Sequence, residues 1–121
     1  MAAGRPYRVA KLPMQAVLRA RSLMETRGFM KALVNQDSDE ILGFTAVGPH
    51  AGEFLAVVQT AMMGKLPYSA LRDAVFTHPT MAEGLGPLFG GVPARTRARG
   101  HRSSLTTECL LSHHSFQRRI R

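Results

Sequence analysis

Tryptophan is absent from these 121 residues, and cysteine occurs once, at Cys109. A lone cysteine excludes an intramolecular disulfide framework and leaves the compartment open. No apolar run approaches the roughly 20 residues that a membrane-spanning helix needs, so no membrane partner is expected. A Gly-x-Gly-x-x-Gly turn is also missing. Gly84-x-Gly86 is followed by a glycine one place too late, at Gly90, and no dinucleotide-binding turn is read there. No acid precedes Glu25, whereas Arg5, Arg8, Lys11, Arg19 and Arg21 do. That bias suits an organelle-targeting leader, but Pro13 interrupts any amphipathic helix, and a cytoplasmic protein is expected.

What is present suffices for one domain. Apolar residues make up 45% of the chain, enough for a core at this length. Residues 1–93 hold nine Lys/Arg against seven Asp/Glu, whereas residues 94–121 hold seven Arg against Glu108 alone. The formal charge of +8 is therefore mostly a property of the tail. That tail has no sustained apolar period and is expected to be disordered. Its His101, His113, His114 and Cys109 lack zinc-type paired spacing, so no metal site is expected. Expected units are a domain at 1–93 and a basic tail at 94–121.

The domain reads as α+β, with an antiparallel sheet of three or more strands and helices packed on one side. Tyr7 to Leu12 alternates and stops at Pro13. Met14 to Leu23 fits a short helix or an irregular crossing equally. Phe29–Asn35 and Glu40–Val47 form a hairpin around Asp37-Ser38-Asp39, with Met30, Ala32 and Val34 on one face. Gly43 suggests close approach by a neighbouring backbone. Ala51, Leu55, Val58 and Met62 mark one face of a helix that Gly64 closes. Ser69 can cap a second helix carrying Leu71 and Val75. Leu85, Leu88 and Phe89 are the apolar contacts of a last helix, shortened or kinked by Pro87.

The stretch Thr77-His78-Pro79-Thr80-Met81-Ala82-Glu83 carries the candidate chemistry. Thr80 and Glu83 have capping-box spacing: the Thr80 hydroxyl would accept from the Glu83 N–H while the Glu83 carboxylate accepts from the Thr80 N–H. On spacing alone, Glu83 is a helix cap and His78 a loop histidine without a task.

The string His78-Pro79-Thr80-x-x-Glu83-Gly84-Leu85 resembles the C-terminal signature of the FAD-dependent pyridine nucleotide–disulfide oxidoreductases. Dihydrolipoamide dehydrogenase, glutathione reductase and mercuric reductase are members of that family. Pro6 to Lys11 with Pro13, Arg19-Ala20, Gly28-Phe29-Met30-Lys31, Ile41-Leu42-Gly43 and Gly48-x-x-Ala51-Gly52-Glu53 resemble the family's dimerisation domain in the same order, over about residues 6–93. The resemblance starts partway through, so the domain's opening strand and helix are expected to be missing. An exposed sheet edge or apolar patch, marginal stability and self-association should follow.

The resemblance implies a homodimer or pairing with a full-length reductase subunit, through the 51–64 helix and the 68–89 segment. It implies that His78 is an acid/base toward the thiol of a disulfide substrate in the partner's active site, with Glu83 orienting it. His78 and Pro79 would lie on the flavin side of that partner. FAD and NAD(P)H belong to the full-length family, and this chain alone is expected to bind neither and to turn nothing over. The run Met81-x-Glu83-Gly84-Leu85 resembles mercuric reductases, but these carry tyrosine in place of His78 and end in a cysteine pair. A disulfide or thiol substrate is thereby favoured, or a mercuric-reductase-like relative of unknown substrate. The alternative is a non-catalytic interaction module whose basic tail binds nucleic acid.

Overall fold

A computed structural model describes residues 4–96. Three strands, β1 (Tyr7–Pro13), β2 (Phe29–Asn35) and β3 (Ile41–Val47), form an antiparallel sheet in the order β1-β2-β3. The helices are α1 (Leu18–Ser22), α2 (Ala51–Met63), α3 (Tyr68–Arg72) and α4 (Leu85–Gly90), with 3-10 turns at Met14–Ala16 and Ala82–Gly84. The α+β reading stands.

Period-two alternation decides which face of the sheet is wet. Ala10 on β1 and Met30, Ala32 and Val34 on β2 are buried, as side chains two apart share a face. On the opposite face, Lys11 and Val9 of β1 pair with Lys31 and Leu33 of β2. Helix α2 packs on β3, and α4 on β1 and β2. The ambiguous Met14–Leu23 stretch resolves into a 3-10 turn and the five-residue α1, with Met14, Val17 and Ala20 buried.

Gly28 must be glycine. Its φ is +111°, and a Cβ there would sit 1.8 Å from the Val47 carbonyl oxygen. Gly43 does not mark a close backbone approach: a Cβ there would meet the Leu33 side chain at 3.6 Å, an ordinary contact. The strand register shifts beside it, between Leu33 and Val34, and Gly43 accompanies that irregularity.

Helix α2 has the expected length and stops at Gly64; of the expected stripe Val58 is buried and Ala51 and Met62 pack partly on the core, but Phe54 and Ala61, not Leu55, complete the buried face. Phe54 has the largest apolar surface to bury, and its ring meets Phe44 edge-on at 6.4 Å between centroids. Helix α3 begins at Tyr68 after Pro67, one residue before Ser69, and no side chain caps it. It ends at Arg72, so Val75 falls outside it and is fully exposed. Helix α4 buries Leu85, Leu88 and Phe89 as expected. Pro87 lies in its first turn, where a missing N–H removes no intrahelical bond.

Arg8 is the buried charge of the core, at 5% exposure. Its Nε and Nη2 donate to the Asn35 carbonyl at 3.2 and 3.0 Å, Nη2 also to Ser38 O at 2.9 Å, and Nη1 to Pro93 O at 3.1 Å. Asp39 lies 3.5 Å from Nη2. Asp39 also accepts from Arg95 at 2.6 Å, so the first residues of the 94–121 tail touch the domain. Residues 97–121, with the expected disorder and the four His/Cys side chains named above, lie outside the described residues.

Candidate functional site

Residues Ala74 to Pro79 form no backbone–backbone hydrogen bonds with the described residues. The loop hangs between buried Leu71 on α3 and buried Met81, and His78 sits on it with 65% of its side chain exposed. Glu83 is different. It lies in the 3-10 turn Ala82–Gly84, directly before α4. Gly84 in that turn packs so closely on the core that a Cβ would meet Met30 Cε and Val17 Cγ2 at 2.8 Å. The carboxylate is therefore held on a fixed support, at 17% exposure.

The two meet at 2.6 Å, His78 Nδ1 to Glu83 Oε2. A carboxylate only accepts, so Nδ1 is the donor and Nε2 remains the free basic nitrogen. Nε2 has no hydrogen-bond partner among the described residues. Glu83 Oε1 is buried with no partner.

The capping box is not formed. The Thr80 hydroxyl donates to the Thr77 carbonyl oxygen at 2.6 Å, and no side chain caps the turn at Ala82–Gly84. Chain entry into the helix slips from Thr80 to Met81. The bonds formed instead are local ones: the Thr80 hydroxyl gives its proton to Thr77 O, and Glu83 Oε2 takes the imidazole N–H.

Pro79, joined to His78 through a cis peptide bond, lines a cavity of about 350 Å³ with Arg19, His50, Glu53, Phe54 and Thr80. A larger groove of about 930 Å³ lies elsewhere, between Arg5, Asp39, Glu40, Leu66 and Pro67. Its acids are already engaged, Glu40 by Arg5 at 3.8 Å and Asp39 by Arg8 and Arg95. Arg95 holds the Asp39 carboxyl below its ordinary value through a hydrogen bond and its charge, against some desolvation, with Arg8 adding to the effect. Among the described residues no three His, Cys, Asp or Glu side chains gather as metal ligands, and no helix is long and apolar enough to cross a membrane. Sequence reasoning missed Arg8 entirely. The alternation that placed it offered no signal for partners 27 to 85 residues away.

The model of the pyridine nucleotide-disulphide oxidoreductase dimerisation domain matches residues 1–88. The chain belongs to that family. A probable pyridine nucleotide-disulfide oxidoreductase of Escherichia coli, RclA, is 41% identical over 86 residues, covering 71% of this chain and 20% of that protein. The dihydrolipoamide dehydrogenase of Chaetomium thermophilum is 37% identical over 81 residues, 67% of this chain and 16% of the relative. The structure of the HOCl-induced flavoprotein disulfide reductase RclA superposes with a TM-score of 0.70 at 40% identity, over 73% of this chain and 20% of the other. This dimerisation domain thus spans about a fifth of the RclA chain it matches.

Proposed function

We propose that this dimerisation domain serves an FAD-dependent NAD(P)H:disulfide or thiol oxidoreductase by lending His78 and Glu83 to a partner subunit's active site. The 2.6 Å contact between an exposed imidazole and a largely buried carboxylate carries this reading. Nε2 takes the proton of an attacking thiol, and in the reverse sense Nε2–H protonates a leaving thiolate. Glu83 accepts the Nδ1–H throughout and balances the imidazolium that forms. Pro79 places the imidazole on the flavin side of the partner.

The described residues do not fit FAD or NAD(P) by themselves. The one connection from a strand to a long helix among the described residues, Val47 to Ala51, offers Gly48, with the left-handed His50 and Glu53 where the next two glycines of such a turn would be needed. No step is therefore drawn through the flavin, which belongs to other parts of a reductase.

The test is reconstitution. The chain is co-expressed with the FAD- and NAD(P)-binding part of the E. coli relative, and NAD(P)H-dependent reduction of an aromatic disulfide is followed. His78→Gln should lower turnover about 100-fold or more, and Glu83→Gln about tenfold, through lost orientation. The chain purified alone should be colourless. Equal turnover by His78→Gln and the parent would refute the acid/base role.

A further inference from the structure

We infer that the cavity walled by residues 79–82 is a recognition pocket for a small disulfide or thiol carrying both a carboxylate and an ammonium group. Arg19 takes the carboxylate and Glu53 the ammonium. As a substrate site, the pocket rests on the proposed acid/base role of His78 and Glu83. Its wall is the segment that joins that pair: Pro79, Thr80, Met81 and Ala82 all line it, with His78 directly before them and Glu83 directly after. The volume, about 350 Å³, is at the low end of the roughly 300–1,000 Å³ that small-molecule pockets occupy. A ligand the size of one amino acid suits it better than a peptide chain.

Two charges of opposite sign line this cavity, and neither is used inside the fold. Arg19 is half-buried on α1, next to the fully buried Ala20. Glu53 lies in the first turn of α2, where its N–H donates to the His50 carbonyl oxygen at 3.0 Å. Neither side chain forms an ion pair among the described residues. The larger groove differs in this respect, since Arg5, Arg8 and Arg95 already hold its Asp39 and Glu40. The Arg19 guanidinium offers a planar fork to a carboxylate, and the Glu53 carboxylate can only accept, as from an ammonium. A purely anionic occupant would be repelled by Glu53 and a purely cationic one by Arg19, so the pocket selects a ligand bearing both charges. Phe54 and Met81, both buried, give the cavity an apolar side, which suits the methylene and sulfur of such a ligand. His50 is the remaining titratable group that lines it, and it stays intact in every variant below.

The experiment follows backbone amide signals of the full 121-residue chain by NMR while a probe is added at fixed pH. S-methylcysteine carries both charges and has no reactive thiol. 3-(Methylthio)propionate keeps the carboxylate alone, and 2-(methylthio)ethylamine the ammonium alone. S-methylcysteine should shift Thr80, Met81 and Ala82 saturably, and each single-charge probe should bind about fivefold more weakly. Arg19→Gln should weaken S-methylcysteine about fivefold, down to the level of the ammonium-only probe, which itself should not weaken. Glu53→Gln should bring S-methylcysteine down to the carboxylate-only probe in the same way. Arg19→Lys, which keeps the charge without the fork, should retain part of the carboxylate preference. Absence of S-methylcysteine binding overturns the proposal. So do equal losses for all three probes in either variant, the mark of side chains that only brace the fold. Thermal melts check that each variant is folded. Charge-dependent binding with a failed reductase assay would sink the proposed function alone, whereas turnover through His78 without such binding would sink only this inference.

Discussion

Arg8 shows how much one side chain can hold. It bridges the start of β1, the β2–β3 turn and Pro93, with four donor contacts to three carbonyl oxygens. Arg8→Ala should lower stability by about 3 kcal/mol or more in chemical denaturation, because carbonyl groups lose their donors together. Arg8→Lys should recover only part, since one ammonium cannot reproduce the planar fork. Asp39 beside it adds a pH dependence. Its carboxyl is lowered in the fold below the ordinary 3.8, so its contribution is complete above that value and is lost as pH falls through the lower, folded value. Asp39→Asn should flatten that acid limb in melts taken at several pH values. An unchanged limb would show that other carboxylates carry it.

At the scale of elements, legibility tracked how local the deciding force was. Strands β1 and β2 could be read almost to the residue, because alternation, Pro13 and Gly28 act within the segments they delimit. The length of α2 was equally open to reading, since Gly64 ends it. Its rotation was open only in part, since Val58, Ala51 and Met62 pack on the core while Phe54 and Ala61 sit deepest. Phe54 faces Phe44 across the fold, and a periodicity count gives an alanine and a phenylalanine equal votes. Phe54→Ala should therefore cost about 3–5 kcal/mol, whereas Leu55→Ala on the expected stripe should cost clearly less. Thr80 and Glu83 have a cap's spacing without forming one for a related reason: spacing within a helix start does not register His78 outside it, whose Nδ1 meets Glu83 Oε2, or the Thr77 carbonyl that takes the Thr80 hydroxyl. On the open face of the sheet, Lys11 and Lys31 stand directly opposite each other, an arrangement that destabilises. Lys11→Glu should raise stability by about 0.5 kcal/mol, read by denaturation at low salt and diminished at high salt.

For the whole molecule, the family and its sheet could be recognised from ordered motifs, and what His78 and Glu83 act on could not. The chain spans a fifth of its E. coli relative, and the His78–Glu83 contact lies at its surface. Apolar groups at Met24, Met63 and Val75 are almost wholly exposed. With both outer strands of the three-stranded sheet unpaired along one edge among the described residues, association should grow with concentration. Sedimentation should show assemblies that dissociate on dilution, and a monodisperse monomer at all concentrations would contradict this.

Arg5 rests on Glu40 and Arg95 on the adjoining Asp39, while Arg8 reaches Pro93 from the strand that follows Arg5. Entry and exit of the described polypeptide are thus moored to the same corner, beside the β2–β3 turn. A short glycine-rich bridge could join them there, and new ends could be opened at the solvent-facing Glu25–Arg27 loop. Such a circularly permuted version should fold with its sheet and its histidine–glutamate contact intact.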